Sequence, residues 1–347
     1  MSSDAENRIA KDDTGFENTN VMQVSDVVQW MRDKLKVQGV IISSDSLLNN
    51  MLLFLDSHKY APTSEELEDS TLRSQWLEAA GTLYVVRKVK NAVDAANALG
   101  QMPQADAYNA HIQLLTKGRA AQNIGGVRDD ASNKLMELLI AVSCAEKGKD
   151  VELDDPNVSC GGANPDVLVT LNGRRVGLAC KTAGSTKEGS WWQLIEHGVG
   201  QVNAAGKADI GCVVLNLKNA IDHATLLYPM QADASEKESL RRPYCNTKDA
   251  IAALEKQSDI LYSRLRALLV PQDIDEVKKT FSESKAIPAI LAFCQSAVLL
   301  EQIGHLKPCT VTTCALWYLV EEDQISKADL QILQAIIHGL NRIEPYN

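Results

Sequence analysis

The chain has 347 residues, 45% of them hydrophobic, 23% charged and 5% aromatic, with 35 Lys plus Arg against 45 Asp plus Glu for a formal charge of −10. That length is enough for about two domains and a sizeable core, and the scarcity of aromatics leans toward a helix-rich globular protein rather than a β-sandwich. No uninterrupted apolar run approaches the ~18 residues of a membrane span. The opening MSSDAENRIAKDD has neither part of a secretory signal, and 10 Pro with 20 Gly exclude a collagen-like chain. A soluble, cytoplasmic protein without a membrane partner is expected.

The first twenty residues are acidic and lack apolar periodicity, which predicts a mobile tail. With Ser25 as cap, Val27, Val28, Met31 and Leu35 recur at helical spacing. Further helices are predicted at Ser46–Leu55, Ser64–Asn97 (entered through Thr63-Ser64-Glu65-Glu66) and Gln104–Leu115. Gly118, Gly125 and Gly126 mark Thr116–Asp130 as a linker.

Beyond it the pattern changes. A helix over Ser132–Lys147 precedes three β-like runs, Lys149–Leu153, Val167–Leu171 and Arg175–Cys180, the last two joined by the hairpin dipeptide Asn172-Gly173. A helix over Ser190–Ala205 and an apolar strand, Gly211–Leu217, complete an α-β-β-β-α-β order. Helices are then predicted at Asp249–Leu269, Asp273–Phe281, Pro288–Ile303 and Lys327–Leu340, with a strand over Pro308–Val320. The expected organisation is α+β: a tail over 1–20, a helical region over 21–125, a core over 126–220 and a mainly helical region over 221–347.

The eight cysteines include no C-x-x-C pair, and no His stands at zinc-finger spacing, so structural zinc is not expected. Cys144, Cys212 and Cys294 lie in apolar runs and read as small buried hydrophobes. From Ala131 to Lys218 nine basic residues face ten acidic ones, so bulk charge does not single out a phosphate-binding surface there.

The chemistry-bearing segment is Asn164-Pro165-Asp166 through Ala179-Cys180-Lys181. Asp166 opens one hairpin strand and Lys181 closes the other, so a two-residue turn brings them within a few ångströms at one rim. Glu137 lies on the preceding helix, whose Leu135, Leu138, Leu139 and Val142 face the sheet. Gln193, His197 and Gln201 fall at i, i+4 and i+8 on the following helix. Trp191 and Trp192 read as core anchors, Arg174 and Arg175 as hairpin-turn residues, and Gly184-Ser185-Thr186-Lys187 as an incomplete phosphate loop.

This constellation resembles the PD-(D/E)XK nuclease superfamily. Pro165-Asp166 matches the "PD", Ala179-Cys180-Lys181 stands at "(D/E)XK", Glu137 at the acidic position of the first core helix, and Gln201 at the glutamine many members carry after the lysine. The resemblance covers about a quarter of the chain. It implies a restriction-endonuclease-like core and Mg²⁺- or Mn²⁺-dependent hydrolysis of DNA phosphodiester bonds, with RNA left open, in a restriction or antiphage-defence role. The implied metal ligands are Asp166, Glu137 and the Cys180 carbonyl. Lys181 would act on the water or the phosphoryl charge, and Gln201 would position backbone or water. A regulatory protein partner and self-association are also implied, since cutting two strands takes two sites.

Ala179 departs from the pattern, because alanine offers a hard cation no oxygen. Three readings follow: an inactivating replacement of Glu by Ala, a naturally inactive nuclease-like module that binds nucleic acid or a protein, or a carboxylate supplied by Glu196 or Glu188. The intact Asp166, Lys181 and Glu137 favour the first.

Overall fold

The computed structural model describes residues 21–58, 66, 69–101, 105–117, 130–156, 164–183, 190–227, 244–268, 271–302 and 305–341. The acidic tail, the Thr63–Glu65 helix start, most of the glycine linker, Gly184–Lys187 and Glu188 lie outside these residues.

The N-terminal part supplies α1 (Val21–Val37), α2 (Leu47–Ser57), α3 (Ser70–Ala98) and the short α4 (Asn109–Leu114). Ser46 caps α2, its hydroxyl accepting from Asn49 N–H at 3.1 Å. Asp69 does the same for α3, accepting from Thr71 and Leu72 N–H at 2.7 and 2.9 Å. Because α1 begins at Val21, Ser25 sits inside the helix and is not its cap.

Next come α5 (Asp130–Cys144), β1 (Lys149–Leu153), β2 (Val167–Leu171), β3 (Arg174–Thr182), α6 (Trp191–Ala204) and β4 (Ile210–Asn216). The β2–β3 turn uses Asn172 and Gly173 at φ +49° and +79°, a left-handed pair that Asn and Gly tolerate and most residues resist. The remaining elements are α7 (His223–Leu227), α8 (Thr247–Leu268), α9 (Pro271–Ser282), β5 (Ala286–Gln302), β6 (His305–Tyr318) and α10 (Lys327–Asn341).

The six strands form one mixed sheet in sequence order: β1, β2 and β3 antiparallel, β4 parallel to β3, β5 parallel to β4, and β6 antiparallel to β5. One apolar core fills the face under α1–α5 and α10, and a second fills the face under α6 and α8. A mixed sheet, antiparallel at both ends and parallel in the middle, with helices flanking it fits a general α+β class.

Of the segment Pro288–Ile303, predicted as a helix, the described residues 288–302 belong instead to β5. Odd-numbered Ile287, Ala289, Leu291, Phe293, Ala297 and Leu299 enter the first core. Even-numbered Ala286, Ile290, Ala292, Cys294, Val298 and Leu300 enter the second. A strand buried on both faces shows no polar period, and its Ala- and Leu-rich run reads like a buried helix. The C-terminal part is therefore less helical than its composition suggests, since β5 and β6 extend the same sheet.

Candidate active site

Three connections bring the site together. Pro165 packs on β3 at Gly177, where a Cβ would lie 2.8 Å from Pro165 Cγ. Asp166 thus enters β2 beside Ala179, and its Oδ2 accepts from Cys180 N–H at 2.7 Å. The first turn of α5 is tied to the carboxyl ends of the parallel strands. Thr182 Oγ1 donates to Asn133 Oδ1 at 3.2 Å at the end of β3, and Lys218 Nζ donates to Ser132 Oγ at 3.3 Å just beyond β4. Ligands of open parallel sheets bind at this rim.

Lys181 Nζ stands 3.7 Å from Asp166 Oδ2, so the hairpin juxtaposes the two residues as the sequence spacing requires. The same ammonium donates to Gln201 Oε1, while Gln201 Nε2 donates to the Asn164 carbonyl. Gln201 is buried, whereas Gln193, Glu196 and His197 are exposed on α6. Glu137 is buried and joins Asp166 through a residue the sequence reading missed. Lys134 Nζ donates to Glu137 Oε2 at 2.9 Å and to Asp166 Oδ1 at 3.4 Å. The signal was present, because Lys134 and Glu137 are three apart and share a helix face.

His111 was also missed. It lies on α4, far away in sequence, and nothing local marks it. Its Nε2 is 3.7 Å from Glu137 Oε2, and neither ring nitrogen has a hydrogen-bond partner among the described residues. Burial pushes the Glu137 carboxyl above the usual carboxylate range; Asp166 adds to the rise, while His111 and Lys134 oppose it. Burial works against the charge of Lys134, but Glu137 and then Asp166 outweigh it and hold its pKa above the usual lysine value. Burial also raises the Cys180 thiol, helped by Asp166 and Glu137, so the sulfur is an inert thiol.

No protein-family model, curated protein or solved structure matches the chain.

Ala179 is fully enclosed in the core under α6, on the same face of β3 as Lys181. Among the described residues no group of three His, Cys, Asp or Glu side chains is gathered to hold a metal ion. Two carboxylates, Asp166 and Glu137, nonetheless converge on a single cationic atom, Lys134 Nζ. That donor set suits a hard cation that takes one or two carboxylates and keeps its remaining waters. Cys180 N–H points toward β2, and an extended residue turns its carbonyl to the same edge, so the Cys180 oxygen lies on the Asp166 side of β3.

The other candidates have structural partners. Arg174 binds Asp329 at 2.7 Å, and Arg175 binds Glu152 at 2.6 Å, at the hairpin end opposite Asp166. Trp191 is a core residue stacked 6.3 Å from Trp317. No helix among the described residues is long and apolar enough to cross a membrane.

Proposed function

We propose that this rim is a nuclease-type site for hydrolysing DNA phosphodiester bonds with Mg²⁺ or Mn²⁺, and that Ala179 leaves its carboxylate set one short. The observation that carries the reading is the convergence of Glu137 from α5, Asp166 from the start of β2, Lys181 from β3 and Gln201 from α6 on one strand-end rim. Asp166 and Glu137, with the Cys180 carbonyl, would hold the cation. When bound, a divalent cation supplies Lewis acidity toward a phosphoryl oxygen and lowers the pKa of a water.

The chain's own groups supply the rest. Asp166 is oriented by the Cys180 N–H and keeps one carboxylate oxygen toward the cation position. Lys181, fixed by Gln201, carries a positive charge toward phosphoryl oxygens, where negative charge accumulates in the transition state. Gln201 acts by holding Lys181 and the Asn164 backbone, and so is a positioning residue. A restriction or antiphage-defence role, with a gating partner and self-association, is the biological setting proposed for such a site.

The test is metal-dependent DNA cutting by the Ala179→Glu chain, set against the chain as it stands. A second reading, a non-catalytic module that binds nucleic acid, draws on the complete apolar enclosure of Ala179. It predicts DNA binding that is indifferent to Mg²⁺ and no cutting by either chain.

A further inference from the structure

Glu137 and Asp166 are fixed, and the cation between them is not. Their side chains are 6% and 9% exposed, and each is anchored in regular structure: Glu137 in the middle of α5, Asp166 by the Cys180 N–H. Lys134 reaches the same point from the second turn of α5 with its side chain 27% exposed, so a change of rotamer carries its ammonium out to water. Two buried carboxylates facing one point repel each other unless a positive charge stands there, and here that charge belongs to the chain.

Resting on the functional reading above, we propose that Lys134 is a tethered counter-cation: it holds the Glu137–Asp166 pair ready while the site is empty, and a divalent metal binds by displacing it. Metal affinity is then set by a competition between the ion and an ammonium that never leaves the molecule. The displaced ammonium remains beside the rim, where it faces incoming phosphate instead of carboxylate. Such a device keeps the empty site folded and discourages metal capture before substrate brings further oxygens.

The competition is read with Mn²⁺ alone, by isothermal titration and by electron paramagnetic resonance of the free ion. Five chains are compared: the chain as it stands, Lys134→Met, Lys134→Arg, Ala179→Glu, and Lys134→Met combined with Ala179→Glu. Expected is a Mn²⁺ dissociation constant at least tenfold lower for Lys134→Met than for its parent in each background, with Lys134→Arg staying near the parent. Lys134→Met removes the ammonium that both carboxylates share, leaving Asp166 with Lys181 and Glu137 beside His111, and is expected to melt lower, so the rise in its melting temperature on adding Mn²⁺ is a second readout that survives partial destabilisation. That rise should exceed the parent's.

Equal Mn²⁺ affinities within twofold in both backgrounds would overturn the proposal, as would no Mn²⁺ binding to any chain. The functional reading fails separately. Tighter Mn²⁺ binding by Lys134→Met with no DNA cutting by Ala179→Glu would leave a metal site without nuclease activity. Cutting with unchanged Mn²⁺ affinity would leave the nuclease and remove the tethered cation.

Discussion

The backbone N–H of Cys180 donates to Asp166 Oδ2 at 2.7 Å, and this bond joins the end of β3 to the start of β2. It continues the β2–β3 ladder one step past its last backbone pair, Val167 with Leu178, by substituting a side-chain oxygen for a carbonyl. The bond therefore has a structural and a chemical consequence, and the two are separable by substitution.

Asp166→Ala leaves the buried Cys180 N–H without its acceptor and should cost about 1–3 kcal/mol of unfolding free energy. Asp166→Asn keeps an oxygen for that N–H and should lose less, while removing the charge that faces Lys134 and Lys181. Urea denaturation separates the two variants. Equal losses would mean that the hydrogen bond is not what Asp166 contributes to stability.

Lys181 and Gln201 make a graded pair. In the Ala179→Glu background, Lys181→Met should reduce DNA cutting roughly 10²–10³-fold, the range for losing one preorganised charge-stabilising donor. Mn²⁺ binding should persist, since Lys181 is not among the groups assigned to the cation. Gln201→Leu should weaken cutting less than Lys181→Met, because it loosens Lys181 without removing its charge. Single-turnover cleavage rates at saturating metal give the order. A larger loss for Gln201→Leu would place Gln201 in contact with substrate or metal.

His223 governs a separate pH dependence. Its Nε2 donates to the Lys218 carbonyl at 2.6 Å, which leaves Nδ1 to accept from Ser296 Oγ at 2.9 Å. Burial lowers its pKa below the usual histidine value, against the opposing pull of the Lys218 carbonyl and Asp222. The unfolded chain therefore takes up the proton first as pH falls. The stability from the neutral ring is present above the unfolded value of about 6.5 and is lost as pH falls from there through the folded value. The urea midpoint should drop between neutral pH and about pH 5, and His223→Gln should flatten that drop. An equally steep drop in the variant would assign the effect to other groups.

What the sequence made legible followed local rules. Asn172-Gly173 fixes the hairpin, and the hairpin fixes the distance between Asp166 and Lys181. The boundaries of β1 and β2 are those of the β-like runs Lys149–Leu153 and Val167–Leu171. What escaped depended on long-range neighbours. β5 has no polar period because both its faces are buried, so only its pairing with β4 and β6 makes it a strand. His111 reaches Glu137 from α4 through the fold alone. Lys134 was readable from its spacing to Glu137, but its second partner, Asp166, comes from another element.

The position of β5 makes a prediction about how the sheet is divided. A fragment ending at residue 220 leaves β4, which is buried along its whole length, without its neighbour on one edge. Such a fragment should not form a cooperatively folded sheet, and it should expose the apolar faces of β4 and α6. Thermal melting followed by circular dichroism and amide exchange checks this. A cooperative transition in the fragment would show that the first four strands fold without β5 and β6.

The most direct test of the central claim is cleavage of supercoiled DNA by the Ala179→Glu chain, with and without Mg²⁺ or Mn²⁺. The account predicts nicking or linearisation that requires the metal, is abolished by adding Asp166→Asn, and is absent from the chain as it stands. No metal-dependent cleavage by Ala179→Glu, in a variant that folds and binds Mn²⁺, would contradict it.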